Sequence, residues 1–177
     1  TNQESTTLAV IKGDDGYFYA HGDKGLRRIL PYSQDLIIDL SSYLNGNQNC
    51  NASLNCYVWY KVVNGIVVYY ISNFDINGKP TSIIAKNISD NKTVNILQPD
   101  NECKNNCYKI NYAEDESTAA WKPKWFNLDN TVYISMTNLN TNKSEILNID
   151  LTNLNFNQGP NQYSTLNKMK EFSDFKK

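Results

Sequence analysis

The residues of this chain whose types and spacing could carry chemistry are four cysteines, one histidine, a few acidic clusters and a close pair of tryptophans. The cysteines fall in two tight pairs, Cys50-Asn-Ala-Ser-Leu-Asn-Cys56 and Cys103-Lys-Asn-Asn-Cys107. The intervening residues are small or polar apart from Leu54, so each loop can close to the short Cα separation a disulfide needs. Two local bridges, Cys50–Cys56 and Cys103–Cys107, are therefore expected. Crossed pairing between the loops, a zinc site made of all four thiolates, and four free thiols in a reducing compartment stay open as alternatives. Zinc fits less well, because structural zinc pairs usually have two to four residues between ligands and the first pair here has five. There is no Cys-x-x-Cys, which argues against redox catalysis. Disulfides imply an oxidising setting, and bridges across such short loops pin loop shape more than they stabilise a whole fold.

Any triad or dyad chemistry must run through the single histidine, His21. It lies at the end of an apolar run just before Gly22 and reads as a half-exposed sheet residue. Asp14, Asp15 and Asp23 lack the alternating acids and distal glutamate of an EF-hand loop, so they read as turn residues. Glu114-Asp115-Glu116 could supply paired carboxylates, but adjacent residues in one loop do not set the separation that glycoside hydrolysis needs. Arg27-Arg28 is a lone basic doublet, and neighbours on a strand face opposite sides. No phosphate loop or nucleophile elbow is present. Neither a metal nor a cofactor is expected.

The candidate binding group is Trp121-Lys122-Pro123-Lys124-Trp125. Proline stiffens the segment, and two indoles four residues apart, with Lys122 and Lys124 between them, could form a platform for a sugar ring or a partner surface. The competing structural role is an aromatic plug over one end of a sheet, with Phe126 as a third member, since large aromatics are usually mostly buried. Four Asn-x-Ser/Thr sites occur, at Asn51, Asn87, Asn91 and Asn142. With 27 asparagines about that many arise by chance.

The elements that must position these residues are mostly strands. Cys56 to Val63 and Ile66 to Ser72 are β-branched and aromatic runs joined by Asn64-Gly65, a strong hairpin signal, because Asn-Gly suits a type I′ turn whose twist matches the strands. Both faces of this pair are largely apolar, which predicts a place in the middle of the sheet. Leu8–Ile11, Tyr17–His21 and Leu26–Leu30 read as strands separated by Gly-Asp turns. Further strands are expected over 82–88, 93–97, 108–112, 131–137 and 144–151. Rows Val132, Ile134, Met136 and Leu147, Ile149, Leu151 should meet across the last hairpin. Leu36, Ile37, Leu40, Tyr43 and Leu44 recur at helical spacing after Ser33, which predicts an amphipathic helix over 34–44. Residues 113–130 read as irregular. Residues 157–177, polar and lysine-rich, read as a tail or a short docked helix.

The expected fold is thus α+β and mainly β: an antiparallel meander of about nine strands with one helix, in a single domain over 1–156. Composition is globular, with 40% hydrophobic and 20% charged residues, and the net charge of −1 leaves no electrostatic footprint for nucleic acid. No run of 18 apolar residues exists, so no membrane insertion by this segment is expected. The chain opens on Thr1, which fits a protein whose signal or anchor has been removed. These readings converge on a non-enzymatic, extracytoplasmic (secreted, periplasmic or cell-surface) binding or adhesion module that recognises a protein or glycan through loops and exposed aromatics. Two alternatives stand beside it. One is the globular head of a membrane-anchored assembly subunit, pilin-like or from an envelope complex, and the other is an Asp/Glu-dependent hydrolase.

Overall fold

A computed structural model describes residues 7–22, 25–39, 56–73, 81–99, 103–104, 107–115, 120–158 and 167–171, and these are mainly β, with no α-helix. The first sheet is a four-stranded meander: β1 (Thr7–Lys12), β2 (Phe18–Gly22), β3 (Gly25–Ile29) and β4 (Gln34–Asp39). The second repeats the pattern with β5 (Cys56–Val63), β6 (Ile66–Asn73), β7 (Ser82–Asn87) and β8 (Thr93–Leu97). Next come β9 (Tyr108–Ile110), then β10 (Tyr112–Asp115) and β11 (Ala120–Pro123), which form a two-stranded ribbon. The third sheet runs β12 (Trp125–Leu128), β13 (Thr131–Asn138), β14 (Lys143–Asp150) and β15 (Asn167–Glu171), with β9 added beside β13. Two 3-10 turns, Leu151–Asn153 and Phe156–Gln158, follow β14.

The second sheet is the middle layer. Its two faces carry separate cores. Tyr60, Val62, Val67, Tyr69 and Ile71 pack on Tyr19, Leu26, Ile37 and Ile38 of the first sheet. Val63, Val68, Tyr70, Ile83 and Ala85 pack on Val132, Ile134, Met136, Leu147 and Ile149 of the third. This placement explains the two-faced apolarity of the central hairpin. Its expected place in the middle of a sheet is corrected: β5 is an edge strand, and both faces are buried because the whole sheet is sandwiched. Asn64 and Gly65 take φ of 47° and 75°, as the type I′ turn requires. In the third sheet Val132 pairs with Ile149 and Ile134 with Leu147, and the rows meet as expected. Glu145 pairs with Met136 in the same row, and its side chain is buried, accepting a hydrogen bond from the Tyr108 hydroxyl at 3.1 Å.

The helix expected over 34–44 is corrected. Residues 34–39 are β4, paired antiparallel to β3, and 40–44 lie outside the described residues. Three local features favour the strand. The Leu30 amide donates to the Ser33 carbonyl at 2.9 Å, which turns the chain back sharply after Pro31. Asp35 then faces Arg28 across the pair, and their charged groups meet at 2.7 Å. A bulge beside Leu26 lets the adjacent, β-branched Ile37 and Ile38 both bury their side chains, so apolar spacing that suits a helix is satisfied by a kinked strand. The nine-strand meander is corrected too. The described residues hold fifteen strands: 34–39 form β4, residues 113–130, read as irregular, contain β11 and β12 and most of β10, and β15, paired to β14, lies within 157–177, where a tail or docked helix was expected.

Candidate functional site

Strands β1, β5 and β12, one from each sheet, approach one another. Gly13, just after β1, lies so close to β5 that a Cβ there would come within 3.1 Å of a Val62 methyl. Lys61 of β5 places its Nζ 5.7 Å from the centre of the Trp125 ring on β12, a cation–π contact. The Asn127 side-chain amide of β12 donates to Asp14 in the β1–β2 turn at 2.9 Å. The Asn64 amide of the β5–β6 turn donates to the Asn130 side chain of the β12–β13 turn. Three turns from three sheets thus meet along one edge.

Local sequence builds each turn. Asp15 accepts from the Tyr17 amide at 3.1 Å and from the Tyr19 hydroxyl at 2.5 Å, so the carboxylate folds the Gly13–Gly16 turn back on its own hairpin. Burial, together with the bond to Asp15, holds the Tyr19 phenol well above its ordinary range. Asp129 takes φ of 49° in the β12–β13 turn, the left-handed region that Asn and Asp tolerate. The rim therefore carries the exposed carboxylates Asp14 and Asp129, the amides of Asn64, Asn127 and Asn130, and the exposed ring of Tyr17, under which Arg28 stacks at 5.0 Å. Burial holds the Lys61 ammonium below its ordinary pKa, opposed by the nearby Asp14 charge. A carboxylate accepts from two donors at once, and an amide both donates and accepts, so this set suits neighbouring hydroxyls or a polar peptide.

The expected site residues distribute as follows. Trp125 is half-buried; it points inward, packs on the core between the second and third sheets, and meets the Tyr70 ring edge-on at 5.5 Å. Lys124 is exposed. Trp121 and Lys122 lie on β11, where Trp121 pairs with Glu114, and their side chains lie outside the described residues. Phe126, next to Trp125 on the strand, faces the opposite side of the sheet and is exposed, stacking on Tyr133 at 4.9 Å. Cys103 and Cys107 form a disulfide with a Cα separation of 5.2 Å, and Cys107 leads into β9. The Cys50–Cys56 pair cannot be followed, because Cys50 lies outside the described residues.

His21 is buried, not half-exposed as expected. Its ring lies edge-on to Trp59 at 5.6 Å and to Tyr60 at 4.9 Å, and burial lowers its pKa. Among the described residues no group of three or more His, Cys, Asp or Glu is placed to hold a metal ion. Again among the described residues, no helix is long and apolar enough to cross a membrane. Asp14 lies in a turn, as its sequence context predicts, whereas nothing in the local sequence marks Lys61, Asn127 or Asn130 as site residues. Asp14 and Asn130 lie in turns, Lys61 and Asn127 lie within strands, and their proximity comes from the stacking of sheets. The chain matches no protein-family model, and neither curated proteins nor solved structures provide a match.

Proposed function

We propose that the protein is a non-enzymatic, extracytoplasmic binding module that takes a glycan or a polar protein segment at the rim where the three turns converge. One observation carries the reading. Two hydrogen bonds cross between sheets at this rim, Asn127 to Asp14 and Asn64 to Asn130, so each of these side chains is already held by a partner from another sheet. Groups fixed in this way lose little conformational freedom when a ligand replaces water on their open sides. Tyr17 adds an exposed aromatic beside the polar groups, and the Lys61–Trp125 pair extends the strip along β12. The Cys103–Cys107 bridge supports an oxidising setting.

A glycan array followed by isothermal titration tests this. The expected result is a glycan or peptide whose affinity falls at least tenfold in both Asp14→Ala and Asn127→Ala, with circular dichroism unchanged. Binding untouched by either variant places recognition elsewhere. Turnover of any compound in a broad substrate screen would end the non-enzymatic reading.

A further inference from the structure

The third sheet holds five strands because two of them share one edge. Strand β12 pairs with residues 131–134 of β13, and β9 pairs with 136–138, both on the side away from β14. Between them Ser135 is served by two residues. The Asn111 amide donates to the Ser135 carbonyl at 3.0 Å, and the Ser135 amide donates to the Lys124 carbonyl at 2.9 Å. In an unbroken antiparallel strand a single residue opposite Ser135 would do both. The Lys124 amide closes the neck by donating to the Asn111 carbonyl at 2.8 Å. With 112–124 left out, residues 110, 111, 125 and 126 stand in succession opposite 136, 135, 134 and 133, and the register does not slip. The faces alternate as well. Ile110 is buried, the Asn111 side-chain amide donates to the Ser135 hydroxyl at 3.0 Å on the outer side, Trp125 packs inward and Phe126 is exposed.

We infer that residues 112–124 are an insertion looped out of one continuous edge strand, an accessory arm that opens while the three sheets stay paired. Three observations support this. The scaffold is complete without the arm: once β9 and β12 are joined as one strand, the third sheet is a four-stranded meander like the first and the second. The attachment is narrow. The chain leaves and re-enters the sheet opposite one residue, Ser135, and the Asn111 side chain is clasped there, donating to the Ser135 hydroxyl and accepting from the Thr137 hydroxyl at 2.7 Å. Finally, the arm pairs with itself. Strands β10 and β11 form their own two-stranded ribbon, with Tyr112 edge-on to Tyr70 at 6.4 Å and Pro123 buried at its base. A two-stranded ribbon is marginally stable by itself, so it opens at a lower free energy than the sheets beside it. Trp121 and Lys122, two of the expected binding residues, lie on the arm, so any contact they make with a ligand is carried by the arm and not by the sheets. The rim with Asn127 and Asn130 lies toward the other end of β12, and the arm stands apart from whatever that rim binds.

Strand register supplies the test. A variant that joins Asn111 directly to Trp125, lacking 112–124, should fold and unfold cooperatively in urea. A variant that joins Asn111 to Lys124, lacking only 112–123, keeps one residue too many for the ladder and should show a lower urea midpoint than its companion. In the whole chain, native-state hydrogen exchange should be at least a hundredfold faster at the amides of β10 and β11 than at those of β13, and Asn111→Ala should speed the arm further. Failure of the 112–124 deletion to fold overturns the proposal. So does a midpoint for the 112–123 deletion that equals or exceeds its companion's, or exchange in β10 and β11 as slow as in β13.

Discussion

The Lys86 ammonium of β7 donates to the backbone carbonyl of Ile37 in β4 at 2.7 Å, joining the second sheet to the first through residues 49 apart in sequence. Ile37 sits in the bulged stretch of β4, where the ladder to β3 is irregular. Replacing Lys86 with Met keeps the aliphatic stem and removes the donor. Leaving the Ile37 carbonyl without this partner should cost about 1–2 kcal/mol, read as a lower urea midpoint with an unchanged slope. An unchanged midpoint would mean the contact contributes nothing to stability.

Stability should depend on pH through His21. Burial against Trp59 and Tyr60 lowers its folded pKa below the ordinary 6.5. Above that value both folded and unfolded chains hold a neutral ring, and His21 adds no pH dependence. As pH falls through 6.5 the unfolded chain takes up the proton first, so stability drops, with a slope of at most about 1.4 kcal/mol per pH unit for one proton. Urea titrations between neutral and mildly acid pH should show this loss, and His21→Gln should remove the part of the slope that begins near 6.5.

Gly25 opens β3 at φ +130°, and a Cβ there would stand 1.8 Å from the Ile38 carbonyl oxygen. Both residues lie in the β3–β4 ladder, so a shift of either backbone disturbs that pairing. Gly25→Ala should therefore cost more than about 2 kcal/mol, since left-handed strain and a backbone collision add together. Gly16, at φ +85° in the β1–β2 turn, has open space around it, and Gly16→Ala should cost only the strain, about 1 kcal/mol. Thermal unfolding of the two variants separates the effects, and equal losses would show that the Ile38 contact relaxes freely.

The Cys103–Cys107 bridge closes a loop of a few residues, and in the chain-entropy picture such a loop is worth about 2 kcal/mol. Beyond it, the Cys107 carbonyl accepts from the Leu139 amide at 2.8 Å, at the end of β13 where β9 pairs. Peptide mapping of the unreduced protein should recover 103 joined to 107. Cys103→Ser with Cys107→Ser should loosen β9 first, seen as faster hydrogen exchange at the Ile110 amide, before the rest of the third sheet responds. Exchange that speeds up uniformly would mean the bridge acts on the whole fold.

Pairing between neighbours was legible where a turn pair or an unbroken alternation marks it. Asn64-Gly65 dictates its hairpin because few other pairs accept two positive φ angles in succession, and the alternation in 131–138 and 143–150 fixes which residues meet. Where two local readings competed, the sequence could not choose. The apolar spacing of 34–44 fits a helix, yet over 34–39 pairing to β3 through Arg28 and Asp35, with a bulge that buries Ile37 and Ile38 together, yields a strand. Only tertiary structure decided that the central hairpin lies inside a sandwich, that His21 is buried, and that Asp14, Asn64, Asn127 and Asn130 share one rim. Turn chemistry and strand alternation act over a few residues and leave their mark on the order of side chains. The stacking of one sheet on another joins residues as far apart as 14 and 127 through nonspecific apolar contact, which any similar set of side chains could supply and which therefore writes no local pattern into the sequence.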